Sequence, residues 1–111
     1  MATPQQPELN RELDRMWLKF RPQMEERLIT LEGAVNAVAA NALSSAECGA
    51  AAAAAHKLAG VLGTFGLARG TDLARQLERL FSAALAPTSA QHLKSLTAEL
   101  RALIANHSPR L

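Results

Sequence analysis

The sequence predicts an all-α protein: an up-down antiparallel four-helix bundle with an additional helix at its N-terminus. The good helix formers Ala, Leu, Arg, Gln and Glu dominate the 111 residues. Val, Ile and Thr are few and never alternate with polar residues as strands require. Short polar breaks separate the apolar stripes, and short loops make neighbouring helices antiparallel. We predict a single domain over 1–111, less ordered at 1–7 and 107–111.

The first two helices are predicted on either side of Pro22. Segment 3–6, TPQQ, offers a Thr N-cap, a Pro at the first helical position and a Gln that caps reciprocally. That helix runs to about residue 20, with an apolar face of Leu9, Leu13, Trp17 and Phe20. Because proline is favoured at the first helical position, Pro22 is expected to open a second helix. It ends near Leu43 and carries Leu28, Leu31, Val35 and Val38.

The third helix is predicted from a capping box. Ser44 is followed three residues later by Glu47, so each can bond to the other's backbone N–H. The helix is expected to continue to about Thr64, and Gly66 marks the break after it.

The last two helices are separated by Pro87. The fourth covers about 67–85, with one stripe formed by Leu73, Leu77, Leu80 and Ala84. After the proline, Thr88 and Gln91 repeat the capping-box spacing and are expected to start the fifth helix. Its apolar stripe is Leu93, Leu96, Leu100, Leu103 and Ile104.

Charge and composition exclude several classes of partner. The 12 basic and 10 acidic residues nearly balance, and no Lys/Arg cluster is interleaved with aromatics, so no nucleic-acid partner is predicted. Cys48 is the only cysteine, which excludes an internal disulfide. The alanine run at 51–55 is too short to span a membrane, and residues 1–15 contain no hydrophobic run. We therefore expect a soluble, cytoplasmic protein with no membrane partner.

Helical geometry places His56 on the solvent side of the third helix. Leu58, Leu62 and Phe65 fall on one face together with Ala51 and Ala55, and this face is the predicted core stripe. At about 100° per residue, His56 lies about 160° from Leu58.

The face around His56 carries almost no long side chains. Gly49, Gly60 and Gly63 lie on the same outward side, flanked by Ala52, Ala53 and Ala59. A glycine inside a helix costs about 1 kcal/mol relative to alanine, so two of them on a solvent face require another reason. Close approach of a macromolecular partner is one. The predicted docking surface is Ala52, Ala53, Lys57, Ala59, Gly60 and Gly63.

A lone histidine is most often an ordinary surface or core residue, and that interpretation of His56 stays open. No second ligand residue lies at metal-binding spacing on this helix, so no metal site is predicted. Cys48 is two turns away on another azimuth, so no catalytic triad is evident. What remains is a histidine that itself accepts a group. His92 and His107 have no comparable surroundings and are not predicted to be functional.

The segment AHKLAGVLGTFGL resembles the signature of histidine-containing phosphotransfer (HPt) domains of two-component phosphorelays. Its matching positions are His56, Leu58, Gly60, Gly63, Phe65 and Gly66, and the resemblance continues through LARQLERLF. It implies that His56 is phosphorylated on a ring nitrogen, usually Nε2, in exchange with the phospho-aspartate of a receiver domain. It also implies that the receiver carries the Mg²⁺, that this chain needs no cofactor, and that a hybrid sensor kinase is a possible partner.

The resemblance also suggests which residues assist His56. Members commonly hold the imidazole through Nδ1 by a Gln or Glu on the next helix, and by spacing this is Glu78; an ordinary charge pairing with a neighbouring arginine is the alternative. Many members have Lys or Arg three residues after the histidine, where this chain has Ala59. Lys57 substitutes only in part, since it points along another flank. Arg69, Arg75 and Arg79 are the candidates for charge support, and each is equally an ordinary solvated residue.

Two other functions stay open at this stage. Because a basic residue is missing at Ala59, the chain can be read as a bundle that binds a receiver or kinase without carrying phosphate. A structural dimerisation bundle would need an exposed apolar stripe, whereas the bare face here is small, so a monomer is expected. Met1 and the full set of helices favour a free-standing protein over a piece of a hybrid kinase.

Overall fold

The computed structural model describes residues 5–83 and 85–107, with side chains from Glu8 onward. It contains four α-helices and one 3₁₀ turn, in the order α1 (Gln5–Ala39), α2 (Ser45–Thr64), α3 (Ala68–Phe81), the turn (Pro87–Ser89) and α4 (Ala90–Asn106). The all-α prediction is confirmed. The predicted roles of Thr3, Pro4, the Gln6 side chain and Ala84, and most of the two ends expected to be less ordered, lie outside the described residues.

The four helices pack as a closed ring in chain order. α2 contacts α1 and α3, and α4 contacts α3 and α1, while no diagonal pair is in contact within the described residues. Across the short loops that join them, α2 pairs with α3 through His56 and Glu78, and α1 with the end of α2 through Trp17 and Phe65, as antiparallel neighbours do. The ring encloses one core of fully buried large side chains: Trp17, Met24, Leu28, Leu31, Leu58, Leu62, Leu73, Leu77, Phe81, Leu93, Leu100 and Ile104.

The predicted break at Pro22 is wrong, because α1 is a single helix with the proline inside it. An interior proline removes the hydrogen bond to the carbonyl four residues earlier, here Leu18, and costs roughly 3 kcal/mol. Leu18 and Pro22 are both exposed, so water can reach this part of the helix. Trp17 before the proline and Met24 after it are both fully buried in the same core. Their burial holds both halves of α1 on one bundle, and the part of the chain that the structure describes contains no separate N-terminal helix.

The first turns of α1 extend past the end of the bundle. At 1.5 Å per residue α1 is about 52 Å long, whereas the 20 residues of α2 span about 30 Å. The expected apolar face therefore divides: Trp17 is buried, Leu13 and Phe20 are half-buried, and Leu9 is exposed. The neighbouring helices reach only the second half of that face.

Local sequence predicts both ends of α2 correctly but not the start of α4. The Ser44–Glu47 capping box is present, with reciprocal hydrogen bonds of 3.1 and 3.2 Å. Gly66 ends α2 in a left-handed conformation (φ 70°), and the N–H groups of Gly66 and Leu67 donate to Gly63 and Leu62 in a Schellman motif. The Thr88 capping box is wrong, because Thr88 lies within the 3₁₀ turn and no side chain caps α4.

Two arginines on α3 and α4 join helices that are distant in sequence. Arg101 on α4 donates to both Glu25 and Glu32 on α1, at 2.6–3.1 Å. These hydrogen bonds lower the pKa of Glu32 and raise the pKa of Arg101. Arg69 on α3 makes a two-pronged pair with Glu99 on α4, at 2.7 and 2.9 Å.

An aromatic cluster closes one end of the bundle. The Trp17 ring meets Phe65 edge-on at 5.2 Å and lies 4.2 Å from the ring of His107. Phe65 is only half-buried, although the sequence placed it in the core stripe. His107, for which no role was predicted, therefore packs against the only tryptophan of the chain.

Candidate functional site

His56 lies on α2 with its side chain pointing outward, as the helical azimuth predicts. Its side chain is 74% exposed, whereas Ala51, Ala55, Leu58 and Leu62 on the opposite face are fully buried. The core contacts of these four residues fix the rotation of α2 about its axis. The imidazole is therefore held at a defined height on α2 and is accessible from solvent.

Glu78 on α3 contacts the inner nitrogen of the imidazole. Glu78 Oε2 lies 2.9 Å from His56 Nδ1, and the carboxylate is less exposed than the ring, at 33%. An ionised carboxylate only accepts hydrogen bonds, so this contact places the imidazole proton on Nδ1. In the neutral ring Nε2 then has a free lone pair. The alternative pairing of Glu78 with Arg75 or Arg79 is not formed.

The predicted docking surface is largely exposed, with one exception. Lys57, Gly60, Gly63 and Ala53 are exposed and Ala52 is half-buried. Ala59 is buried, with 6% exposure, so it adds little area to that surface. At about 100° from Leu58 it lies on the flank that α3 covers, which the azimuth alone cannot show.

The glycines of α2 are not required by the packing of the bundle. A Cβ built on Gly60 would meet no heavy atom within 4 Å. One on Gly63 would lie 3.8 Å from the Thr71 hydroxyl of α3, an ordinary contact distance. By contrast, a Cβ on Gly70 would come within 3.1 Å of Leu62, so that glycine serves the close approach of α3 to α2. This role of Gly70 was not predicted from the sequence.

A shallow recess lies beside His56, at the surface between α2 and α3. Its volume is about 370 Å³, and we call it the His56 recess; its lining residues are His56, Ala59, Gly60, Arg75, Glu78 and Arg79. Both arginines are exposed. The third candidate for charge support, Arg69, is engaged by Glu99 and Asp72 and does not line the recess.

A larger apolar groove lies on the other flank of His56, between α1 and α2. Its volume is about 520 Å³, and we call it the α1–α2 groove; it is lined by Met16, Phe20, Gln23, Arg27, Lys57, Gly60, Val61, Thr64 and Phe65. Gly60 borders both depressions. The α1 residues were missed as site residues, although their spacing of four, three and four residues describes one helix face.

The other predicted features lie apart from this face or carry no ligand geometry. His92 is an exposed residue of α4. Among the described residues no three His, Cys, Asp or Glu side chains are grouped so as to hold a metal ion. The described helices also include none with both the length and the apolar character needed to cross a membrane. Cys48 is a free thiol on α2, 2.7 Å from the Phe81 carbonyl oxygen.

Comparison with known proteins identifies one family. The family model described as Hpt domain matches residues 15–106, which include His56, Glu78 and both arginines of the His56 recess. Searches of curated proteins and of solved structures returned no significant match.

Proposed function

The chain belongs to the Hpt domain family, which acts in phosphotransfer in two-component signalling, and we propose that His56 is the residue that accepts and donates the phosphoryl group. The observation that carries this proposal is the contact of Nδ1 with Glu78 on a ring that is 74% exposed. It leaves Nε2 as the nitrogen available to a partner.

Glu78 prepares the ring for attack in this proposal. By accepting the hydrogen bond from Nδ1–H, it keeps the proton away from Nε2 and holds the ring plane. When Nε2 forms a bond to phosphorus, positive charge develops on the imidazole, and the carboxylate 2.9 Å from Nδ1 stabilises that charge. Glu78 acts through His56 and is a positioning residue.

The transfer itself exchanges one phosphorus bond for another. The Nε2 lone pair attacks the phosphorus of the receiver's phospho-aspartate, an N–P bond forms, the acyl P–O bond breaks, and the aspartate carboxylate leaves. The return reaction reverses each step. We propose that the receiver supplies both the phospho-aspartate and the Mg²⁺ that would stabilise charge in the transition state. This chain then needs no cofactor. Its own contribution is an in-line nucleophile and a surface to dock on.

We propose that the receiver docks across the exposed face of α2 and the adjoining α1–α2 groove. The bare positions Gly60 and Gly63 let the partner's backbone approach the histidine, since no packing inside the bundle requires glycine there. The apolar walls of the groove, including Met16 and Phe20, offer burial for apolar partner side chains beside His56. The surface thus combines close approach at the nucleophile with an apolar anchor to one side.

Phosphate transfer from a phosphorylated receiver tests the proposal. Receiver domains from the same cell are labelled with acetyl phosphate and mixed with the chain, and label on the chain should be acid-labile and alkali-stable, as expected for phosphohistidine. His56→Gln should accept none. His92→Gln, which changes another exposed histidine, is the matched control and should accept label normally. Equal labelling of His56→Gln and the original chain would refute the assignment.

A bundle that binds a receiver or kinase without carrying phosphate is the second candidate. It is favoured by one observation: the position three residues after His56 is the buried Ala59, so α2 itself places no cation there. Binding of a receiver without incorporation of label, in the experiment above, would support it. The main proposal also includes that the protein is cytoplasmic and monomeric. Light scattering after size-exclusion chromatography measures its oligomeric state.

A further inference from the structure

Two arginines without carboxylate partners line the recess beside His56. Arg15, Arg69 and Arg101 are each paired with carboxylates, whereas neither Arg75 nor Arg79 has an ion pair within the described part of the chain. Resting on the proposed function, we propose that Arg75 and Arg79 form the binding site for the phosphoryl group carried by His56. They supply from α3 the positive charge that α2 lacks.

The helical positions of the two arginines direct both toward the same side of Glu78. Taking about 100° per residue, Arg75 lies about 60° and Arg79 about 100° from Glu78, in the same sense around α3. Glu78 faces α2 and reaches His56, so the arginines lie on the solvent side of that contact. This is the side on which a group bonded to Nε2 must project, because Nδ1 faces the carboxylate.

The electrostatics of the recess favour an anion. Arg75 and Arg79 are four residues apart, and like charges at that spacing destabilise a helix by about 0.2–0.5 kcal/mol. A bound phosphoryl group carries up to two negative charges, which relieve that repulsion and form charge-assisted hydrogen bonds. It would also lie near the negative Glu78, and the two arginines offset that repulsion. Lys57 borders the α1–α2 groove instead.

Ala59 explains why the recess is open to these side chains. It lines the floor of the recess, and its methyl group is buried at the α2–α3 contact. A lysine or arginine at this position would have to leave through the recess itself. The small residue therefore leaves the space that a guanidinium from α3 can occupy. The small residue on α2 and the arginines on α3 therefore complement each other: Ala59 leaves the space, and Arg75 and Arg79 provide the positive charge.

Phosphorus NMR of the phosphorylated chain tests the site without any receiver. Phosphoramidate is the donor: Nε2 attacks its phosphorus, the P–N bond to nitrogen breaks, and ammonia leaves. The chemical shift of the phosphohistidine is then followed against pH, over the range in which the N–P bond survives, to give the titration midpoint of the phosphohistidine. Nearby cations favour the deprotonated form of the phosphohistidine, so Arg75→Gln and Arg79→Gln should each raise the midpoint, by about 0.7 pH unit for a charge 4 Å away in water.

Three comparisons decide the outcome. Arg11→Gln removes the same charge from an exposed position on the first turns of α1 and should leave the midpoint unchanged. Arg75→Lys, which keeps the charge, should have a midpoint close to that of the original chain. In the Arg75→Gln/Arg79→Gln background, Ala59→Lys should lower the midpoint again, with far-UV circular dichroism confirming the fold.

The result separates this inference from the proposed function. A phosphohistidine signal that is lost in His56→Gln, with a midpoint unaffected by both arginine changes, would overturn the recess site and leave His56 as the acceptor. Absence of any signal from the original chain would overturn both.

Discussion

Replacing Gly60 with alanine is expected to stabilise the bundle. Gly60 lies inside α2, where alanine is favoured over glycine by about 0.8–1.0 kcal/mol. No heavy atom lies within 4 Å of the position that the new Cβ would take, so no clash offsets this gain. With an unfolding entropy of roughly 2.1 cal/mol/K per residue over 111 residues, Tm should rise by about 4 °C.

Thermal unfolding followed by circular dichroism at 222 nm measures that change. Gly33→Ala is the matched control, because Gly33 is an exposed position inside α1 that also has nothing within 4 Å. Both variants should gain the same stability. An unchanged or lower Tm for Gly60→Ala, beside a higher Tm for Gly33→Ala, would refute the conclusion that the space at Gly60 is open.

The same position separates stability from function. Gly60→Glu places a long charged side chain on the proposed docking face and should lower the rate of phosphoryl exchange with a receiver about tenfold, the ratio that corresponds to 1.4 kcal/mol of lost docking energy. Gly33→Glu, on α1, should exchange at the original rate. Equal rates for both variants would leave the glycine at position 60 without its proposed reason.

Three further predictions follow from single contacts. Glu78→Ala should slow phosphoryl acceptance by about tenfold through loss of a charge-assisted hydrogen bond, whereas Glu78→Gln, which keeps an acceptor oxygen, should retain most of the rate in the same labelling assay. Ser44→Ala removes the N-cap of α2 and should cost about 1 kcal/mol in urea unfolding, while Ser45→Ala, next to it, should be nearly neutral. The hydrogen bond from Arg101 holds the pKa of Glu32 below its usual 4.5. The stability that this pair contributes is therefore present above pH 4.5 and is lost as pH falls through the lower pKa of the folded state. Glu32→Gln should lower the free energy of unfolding at pH 7 and make it depend less on pH on the acid side.

The rotation of α2 could be predicted from its sequence because it depends only on helix geometry. Leu58 and Leu62 set the core direction, and His56 must then face away from it. The spacing of apolar residues on α1 also indicates one continuous helix, although two helices were predicted there. Trp17, Met24 and Leu28 are spaced seven and four residues apart across Pro22, as one unbroken stripe requires.

At Pro22 the local preference of proline and the burial of the core act in opposite directions. A proline is favoured at the start of a helix, but burial of the large side chains on both sides of Pro22 stabilises α1 by more than the lost hydrogen bond costs. The Thr88 capping box failed similarly, because the residues after Pro87 form a 3₁₀ turn before α4 begins.

The residues around His56 likewise depend partly on local helix geometry and partly on the packing of α3 against α2. Glu78 was chosen by family resemblance, and helix geometry alone left it on the flank of α3 with three candidate partners. Only the packing of α3 against α2 brings its carboxylate to His56, 22 residues away along the chain. That packing also buries Ala59 and collects Arg75 and Arg79 in the His56 recess.

By itself the sequence determined the all-α class, the capped start of α2, its Gly66 end and the outward direction of His56. Each depends on residues within one or two turns, where hydrogen bonding and side-chain periodicity act locally. The tertiary structure alone decided the burial of Ala59 and the pairing of Arg101 with Glu25 and Glu32. These depend on how helices distant in sequence are placed against each other, which is set by the shared core.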